Sequence, residues 1–271
     1  MSECPVRVEP RFFEKVWGTT ELEPWFPNSE NKIGEVWFPA GGIRVKFLFT
    51  SARLSVQVHP DDAFAWKVEQ QSGKTELWYL LRTEADARIA MGFRESISAE
   101  RIRESALSGE IETLIDWVPV SKGETYLSPS GTVHAIGAGI VLCEIQQNSD
   151  ITYRLYDYGR PRELHLDKAM QVVHGEPHSG KLEPVAQDDG SQRLARCEHF
   201  VTDLLEVEGE FTCLPQGGKD HVLVVLEGTG TFSTEAFQAG EVWRLPEDMG
   251  PCRIEATGKA KLLRCFVPPS Q

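Results

Sequence analysis

In the run LSVQVHPDD, Gln57 and His59 stand two residues apart. On an extended chain their side chains project from one face, and Ser55 shares it. Glu76 lies at the start of another apolar run, in GKTELWYLL, and His134 follows the turn-forming Pro-Ser-Gly of SPSGTVHAIG. Two imidazoles, one carboxylate and one amide oxygen suit a divalent first-row metal, with zinc first and cobalt or manganese accepted by the same set. A reactive centre of this kind keeps one coordination position open for water or substrate. Taken singly, each residue also fits a structural duty: a hydrogen-bonded strand histidine, a solvated strand-end glutamate, a buried amide. The six cysteines (Cys4, Cys143, Cys197, Cys213, Cys252, Cys265) are scattered, with no Cys-x-x-Cys pair. Several lie in apolar runs, as Cys143 does in IVLCEI, which points to buried free thiols in a reducing compartment rather than a cysteine metal site.

The elements that must carry these residues are mostly short strands between Gly, Pro, Asn and Asp. The spacing predicts strands over 35–38, 43–50, 54–59, 75–81, 87–93, 125–128 and 140–146. A second series covers 200–207, 221–227, 230–233, 241–245, 252–256 and 262–267. Three helices interrupt them, at 61–71, at 98–117 with a break at Ser108-Gly109, and at 166–173. Many short strands at this spacing argue for a barrel or sandwich. A polar stretch rich in Gly, Pro and Asp, 176–192, reads as a linker. It divides an N-terminal unit, 1–175, from a C-terminal one, 193–271. A faint repeat crosses it: GKTELWYLL resembles GKDHVLVVL, and KGETYLSPSGTVHAI resembles AGEVWRLPEDMGPCRI. In the second copy His221 and Pro251 stand at the aligned positions and no Gln-x-His pair is evident, so the C-terminal unit is expected to be metal-free.

Composition narrows the function classes. With 41% hydrophobic and 25% charged residues, the 271-residue chain is an ordinary globular protein with ample material for a core. Its formal net charge of −13 opposes nucleic-acid binding but leaves room for a small anion in a local cationic pocket. No apolar run approaches a membrane span, and Met1–Pro10 lacks the pattern of a secretion signal, so a cytoplasmic protein is expected.

The segments LSVQVHPDD, GKTELWYLL, GTVHAIGAGIVLCEIQQNSDITYRLYDYGR and RELHL, with WGTTEL and IGEVW nearer the N-terminus, closely resemble the class I mannose-6-phosphate isomerases of the short bacterial kind. The resemblance implies a mainly β fold, two cupin (jelly-roll) β-barrels with a few short helices, one barrel carrying zinc. It implies Gln57, His59, Glu76 and His134 as ligands of one divalent ion per chain, with Gln57 the least uniform of the four. The family's active-site arginine, lysine and glutamate fall on Arg154, Lys74 and Glu144. Lys46, in the largely apolar IRVKFLF, and Ser55 are candidates for substrate binding, and Lys46 and Lys74 are candidate cations for a phosphate. The implied reaction is aldose–ketose isomerisation of mannose 6-phosphate and fructose 6-phosphate through a metal-assisted cis-enediol. The implied partner is a sugar phosphate, and the assembly a monomer or homodimer. The base remains open between Glu144 and a metal-bound water. Isomerisation or epimerisation of another sugar or sugar phosphate, and a non-catalytic sugar-binding cupin, are the competing readings. A cupin oxygenase is disfavoured because the common His-x-His pair is here Gln57-x-His59. The chain departs from the family at 38–43, where many members carry a helical insertion and this sequence runs directly from Phe38 to Ile43.

Overall fold

The structure is a computed structural model describing residues 4–215 and 219–269. Its elements run β1 (Val6–Val8), β2 (Arg11–Thr19), β3 (Ile33–Ala40), β4 (Ile43–Thr50), β5 (Val56–Val58), α1 (Asp62–Glu69), β6 (Glu76–Thr83) and β7 (Arg88–Phe93). They continue through α2 (Ala99–Ser108), α3 (Ile111–Leu114), β8 (Ile115–Pro119), β9 (Thr125–Ser128), β10 (His134–Ile136), β11 (Ile140–Gln147), β12 (Tyr153–Tyr156) and α4 (Leu166–Ala169). The remainder is all strand: β13 (Lys181–Leu182), β14 (Val185–Ala186), β15 (Gln192–Arg196), β16 (Val201–Cys213), β17 (His221–Glu227), β18 (Thr229–Phe232), β19 (Glu235–Gln238), β20 (Val242–Leu245) and β21 (Cys252–Phe266).

Three antiparallel sheets result. A seven-stranded sheet has the order β13-β9-β6-β11-β4-β3-β2, and a five-stranded one has β12-β5-β10-β7-β8. The third sheet follows β1-β20-β17-β21-β16-β15-β14, with β18 and β19 attached through β21. The order β9-β6-β11-β4 thus recurs as β20-β17-β21-β16, so the faint sequence repeat corresponds to a repeated strand arrangement. Backbone pairing leaves the sheets open instead of closing barrels. The physical reason is that β4, β6 and β11 are buried on both faces, so side-chain packing between layers does the closing. In IRVKFLF, Val45, Phe47 and Phe49 join a core shared with Leu194, Phe200, Val222, Val224 and Leu263 of the C-terminal sheet. Lys46 and Leu48 alternate to the other face, towards the five-stranded sheet. β1 pairs with β20 of the C-terminal sheet, and within the stretch 176–192, expected as a linker, β13 pairs with β9 and β14 with β15.

The helices follow their predicted starts more closely than their ends. The Asp61 side chain caps α1 by accepting from Phe64 N at 2.8 Å, and Ser98 caps α2 by accepting from Arg101 N at 3.2 Å. The expected break falls at Gly109, whose φ of 84° suits a residue without Cβ. The helix expected to reach Trp117 stops at Leu114. Ile115–Pro119 forms β8 against β7, because pairing there outweighs the local helical spacing. Between β3 and β4 the connection is only Gly41-Gly42, both at positive φ (51° and 42°), a tight hairpin of the kind two such glycines favour.

One buried network in the C-terminal sheet gives a stability prediction. Asp203 is fully buried and accepts from Arg264 Nε at 3.1 Å and Nη2 at 2.7 Å, and from Arg193 Nε. Replacing Asp203 with Ala strands two guanidinium groups, of which Arg264 is itself buried, with Asp189 at 2.9 Å as its remaining acid. Breaking such a pair costs about 3–5 kcal/mol. Denaturant unfolding of Asp203→Ala should show a loss of that order, with metal content per folded chain unchanged.

Candidate metal centre and active-site cavity

The site lies between the seven- and five-stranded sheets, and strand register assembles it. On the five-stranded sheet His134 and Arg154 are both register partners of Gln57, so Arg154, Gln57 and His134 form one row across β12, β5 and β10. On the facing sheet Glu76 is paired with Gln146 and Ser128, and Glu144 with both Lys46 and Trp78. His59 follows β5 directly, and Lys74 precedes β6.

His59, Glu76 and His134 are each about 1% exposed, and their donor atoms lie within 4.8 Å of one another. His59 Nδ1 is 2.8 Å from the Ile151 carbonyl, and His134 Nδ1 is 2.9 Å from the Thr132 carbonyl. Those carbonyls fix Nδ1 as the donor on both rings, so each Nε2 carries its lone pair inward, the second-partner arrangement of metal-ligating histidines. The two Nε2 atoms flank Glu76, at 3.5 Å from Oε2 and 3.2 Å from Oε1. Neither Glu76 oxygen has a matched hydrogen-bond donor despite full burial. A buried carboxylate without directed donors is costly unless a cation meets it. Lys74 supplies one charge, 2.9 Å from Oε2 and 3.2 Å from His59 Nε2.

The electrostatics suit ligation. Burial pushes the His59 pKa down to about 3, with Lys74 acting in the same sense against Glu76, and burial also lowers that of His134. Both rings are therefore neutral at ordinary pH, the form that binds a metal. Burial opposes charge on Glu76, but the Lys74 ammonium leads the effects that hold its carboxyl well below the usual range. For Lys74 the burial penalty is outweighed by Glu76 and Glu144, which keep its pKa raised. The triad therefore forms a potential metal site whose donor set fits a divalent ion. Gln57 sits beside it with its amide nitrogen 3.3 Å from His134 Nε2 and its oxygen accepting from Ser55 at 3.2 Å. In this orientation the nitrogen faces the triad, and ligation through oxygen requires a half-turn of the amide that gives up the Ser55 bond.

A cavity of about 280 Å³ opens beside the triad, near the lower end of small-molecule sites at roughly 300–1,000 Å³. Its walls include Lys46, Ser55, Gln57, Lys74, Glu144 and Arg154. Thus all nine residues singled out from the sequence lie in the triad or line this cavity. Glu144 is buried and held by Lys46 Nζ at 3.0 Å and by the Trp78 indole at 3.0 Å. The Trp78 ring in turn stands edge-on to His134, with centroids 5.4 Å apart. Lys15, Trp17, Glu35, Trp37, Thr152 and Arg162 also line the cavity and were not assigned from the sequence. WGTTEL and IGEVW did mark Trp17, Glu35 and Trp37. The alternation of Glu35 and Trp37 with buried Val36 and Phe38 was the available signal. By contrast His221 is buried and stacks on Phe266 at 4.4 Å, a packing residue far from this chemistry.

A stacked-sheet β architecture with a buried His-Glu-His centre beside a polar cavity defines the chain as a cupin-type protein with a potential metal site. No protein-family model matches it. Among curated proteins it is 32% identical to the mannose-6-phosphate isomerase ManA of Bacillus subtilis, over 94% of this chain and 97% of that one. It is 31% identical to GmuF of the same organism, named a probable mannose-6-phosphate isomerase, over 93% and 96%. A crystal structure of a mannose 6-phosphate isomerase from Bacillus subtilis matches with a TM-score of 0.88 and 27% identity, over 97% of this chain and 99% of that one. The chain belongs to the mannose-6-phosphate isomerase family, of the class I type. The two sequence alignments span 307 and 312 positions against 271 residues here, so the relatives carry extra segments. Among the described residues no helix is long and apolar enough to cross a membrane.

Proposed function

We propose that the chain interconverts mannose 6-phosphate and fructose 6-phosphate, with zinc as the divalent ion held by His59, Glu76 and His134 and Gln57 as the fourth ligand. The observation that carries this reading is the inward convergence of both Nε2 atoms on Glu76, beside a cavity lined by Gln57, Glu144, Lys74 and Arg154. A bound divalent ion would act there as a Lewis acid that orients and polarises the substrate's oxygens.

The chain's own residues account for the remaining chemistry. Isomerisation moves one proton between C2 and C1 of the open-chain sugar and one between their oxygens, through a cis-enediol, with no net change in atoms or electrons. Glu144 is the residue placed to carry the carbon proton. Its carboxylate is fixed by Lys46 and Trp78, and its Oε1, beside Lys46, has no aligned donor. Lys74, kept cationic by Glu76 and Glu144, and Arg154, a permanent cation, stabilise the negative charge that develops on the two oxygens. Ser55, which lines the cavity, is released from Gln57 when the amide oxygen turns to the ion and is then available to a substrate hydroxyl.

The test is formation of fructose 6-phosphate from mannose 6-phosphate by purified protein. Stripping with a chelator should abolish turnover, and zinc should restore it. Absence of turnover after zinc loading overturns the reaction, and turnover that survives complete metal removal overturns the role of the metal.

A further inference from the structure

Five cations line the cavity: Lys15, Lys46, Lys74, Arg154 and Arg162. Three are matched one to one with carboxylates, Lys15 with Glu35 at 3.2 Å, Lys46 with Glu144 at 3.0 Å and Lys74 with Glu76 at 2.9 Å. The arginines differ. Arg154 makes no ion pair among the described contacts. It donates from Nη1 to the Glu163 carbonyl at 2.8 Å, and its Nε is buried without a partner. Arg162 shares its carboxylate, because Asp157 also binds Arg160. Asp157 Oδ1 accepts from Arg160 Nε at 3.0 Å and Nη2 at 2.6 Å and from Arg162 Nη2 at 2.6 Å, while Oδ2 accepts from Arg162 Nε at 2.6 Å. Two guanidinium groups, Arg160 and Arg162, therefore share one buried carboxylate, and Arg154 has no carboxylate of its own, in a chain of net charge −13. Glu163 and the exposed Asp150, beside Arg44, are the other acids nearby, and neither forms an ion pair with these arginines.

The Asp157 side chain is 2% exposed, so this carboxylate is a fixed anchor. Engaged at Nε and Nη2, Arg162 is locked in one plane with its Nη1 amino group unused by Asp157. The register separates the two cavity arginines by task. Arg154 stands next to Gln57 and hence beside the metal-ligating row, whereas Arg162 lies eight residues on, past the turn at Tyr158-Gly159, and its side chain is 30% exposed. The substrate has the same polarity: reacting carbons at one end, a phosphate on C6 at the other.

We infer that Arg162, aimed by the buried Asp157, receives the phosphate monoester of the substrate at the mouth of the cavity, leaving Arg154 free for the reacting oxygens. This rests on the sugar-phosphate reading above. Asp157 acts only through Arg162 and Arg160 and is a positioning residue. Paired charged hydrogen bonds to a phosphate make this a binding interaction more than a catalytic one.

The experiment uses zinc-loaded full-length protein and Arg162→Ala, whose partly exposed position spares the core. Calorimetry with inorganic phosphate should show affinity falling about 10- to 100-fold, the range expected for loss of a charged hydrogen-bonding partner. The KM for mannose 6-phosphate should rise by a similar factor with kcat within about threefold. Arg162→Lys should recover part of the affinity, and Asp157→Asn should weaken phosphate binding less than Arg162→Ala does. Unchanged phosphate affinity in Arg162→Ala, or a fall in kcat at constant KM, overturns the assignment. So does wild-type protein that binds no phosphate. The calorimetric arm needs no turnover, so failure of the isomerase reading and failure of this anion site are separately visible.

Discussion

His134→Ala should lose both the metal and the reaction. The wild-type chain should retain one zinc after dialysis, and the variant less than about a tenth of that. Turnover of mannose 6-phosphate should fall by three orders of magnitude or more. The size follows from geometry. His134 is 1% exposed, its Nδ1 is committed to the Thr132 carbonyl, and its Nε2 is 3.2 Å from Glu76. Removing it takes a ligand from a set of three or four and leaves Glu76 with less to offset its burial. Loss of an outer hydrogen-bonding partner to a ligand costs roughly 10- to 100-fold in metal affinity. Loss of the ligand must exceed that. Ser128→Ala, which removes only the hydroxyl 3.1 Å from His134 Nδ1, supplies the comparison and should fall within the smaller range. Metal analysis on dialysed protein, with far-UV circular dichroism as the folding control, decides it. A folded His134→Ala protein that keeps stoichiometric zinc would show that the ion binds elsewhere.

Much of this site was legible because a strand's period of two sorts residues without any knowledge of their partners. Ser55, Gln57 and His59 share a face by spacing alone, and Lys46 and Glu144 stood out as charges in IRVKFLF and IVLCEI, runs whose other members, Arg44 apart, are apolar and buried. Such a charge must find a partner on the inner face, and these two found each other at 3.0 Å. The pairing itself was not legible. Nothing local says that His134 will be laid against Gln57, 77 residues away, or Lys46 against Glu144. Those neighbours are set by sheet order, which depends on long-range burial. The same limit explains β8, where Ile115 and Trp117 fall within the helix expected from sequence but pair with β7. It also explains β2, whose edge position leaves Phe12 and Val16 exposed and blurs the apolar alternation that marks a strand, so Lys15 and Trp17 went unassigned. Arg162 is the clearest such case. It opens the RELHL segment, but the residue types there assign it no partner, and only the burial of Asp157 makes it a fixed group.

Arg154→Ala should separate chemistry from metal binding. The variant should keep its zinc and lose about two to three orders of magnitude in kcat, the effect of removing one preorganised donor from a developing oxyanion, about 3–4 kcal/mol. Arg154 is suited to this because its charge is not spent elsewhere. Its Nη1 bonds a neutral carbonyl, its Nε lacks a partner, and its backbone is pinned on both sides by His165. Burial lowers its pKa, with Arg162 adding to the effect and Asp157 opposing it. A guanidinium starts so high that it remains charged, whereas a lysine in the same place would be easier to neutralise. Arg154→Lys should therefore recover only part of the rate, since one ammonium cannot reproduce the planar fork across two adjacent oxygens. The pattern to expect is a kcat effect in Arg154→Ala and a KM effect in Arg162→Ala, since charge on the reacting oxygens grows only on the way to the enediol while charge on the phosphate is constant throughout. If Arg154→Ala instead raises KM at unchanged kcat, this arginine holds the ground state, and the developing charge must fall to Lys74 and the metal.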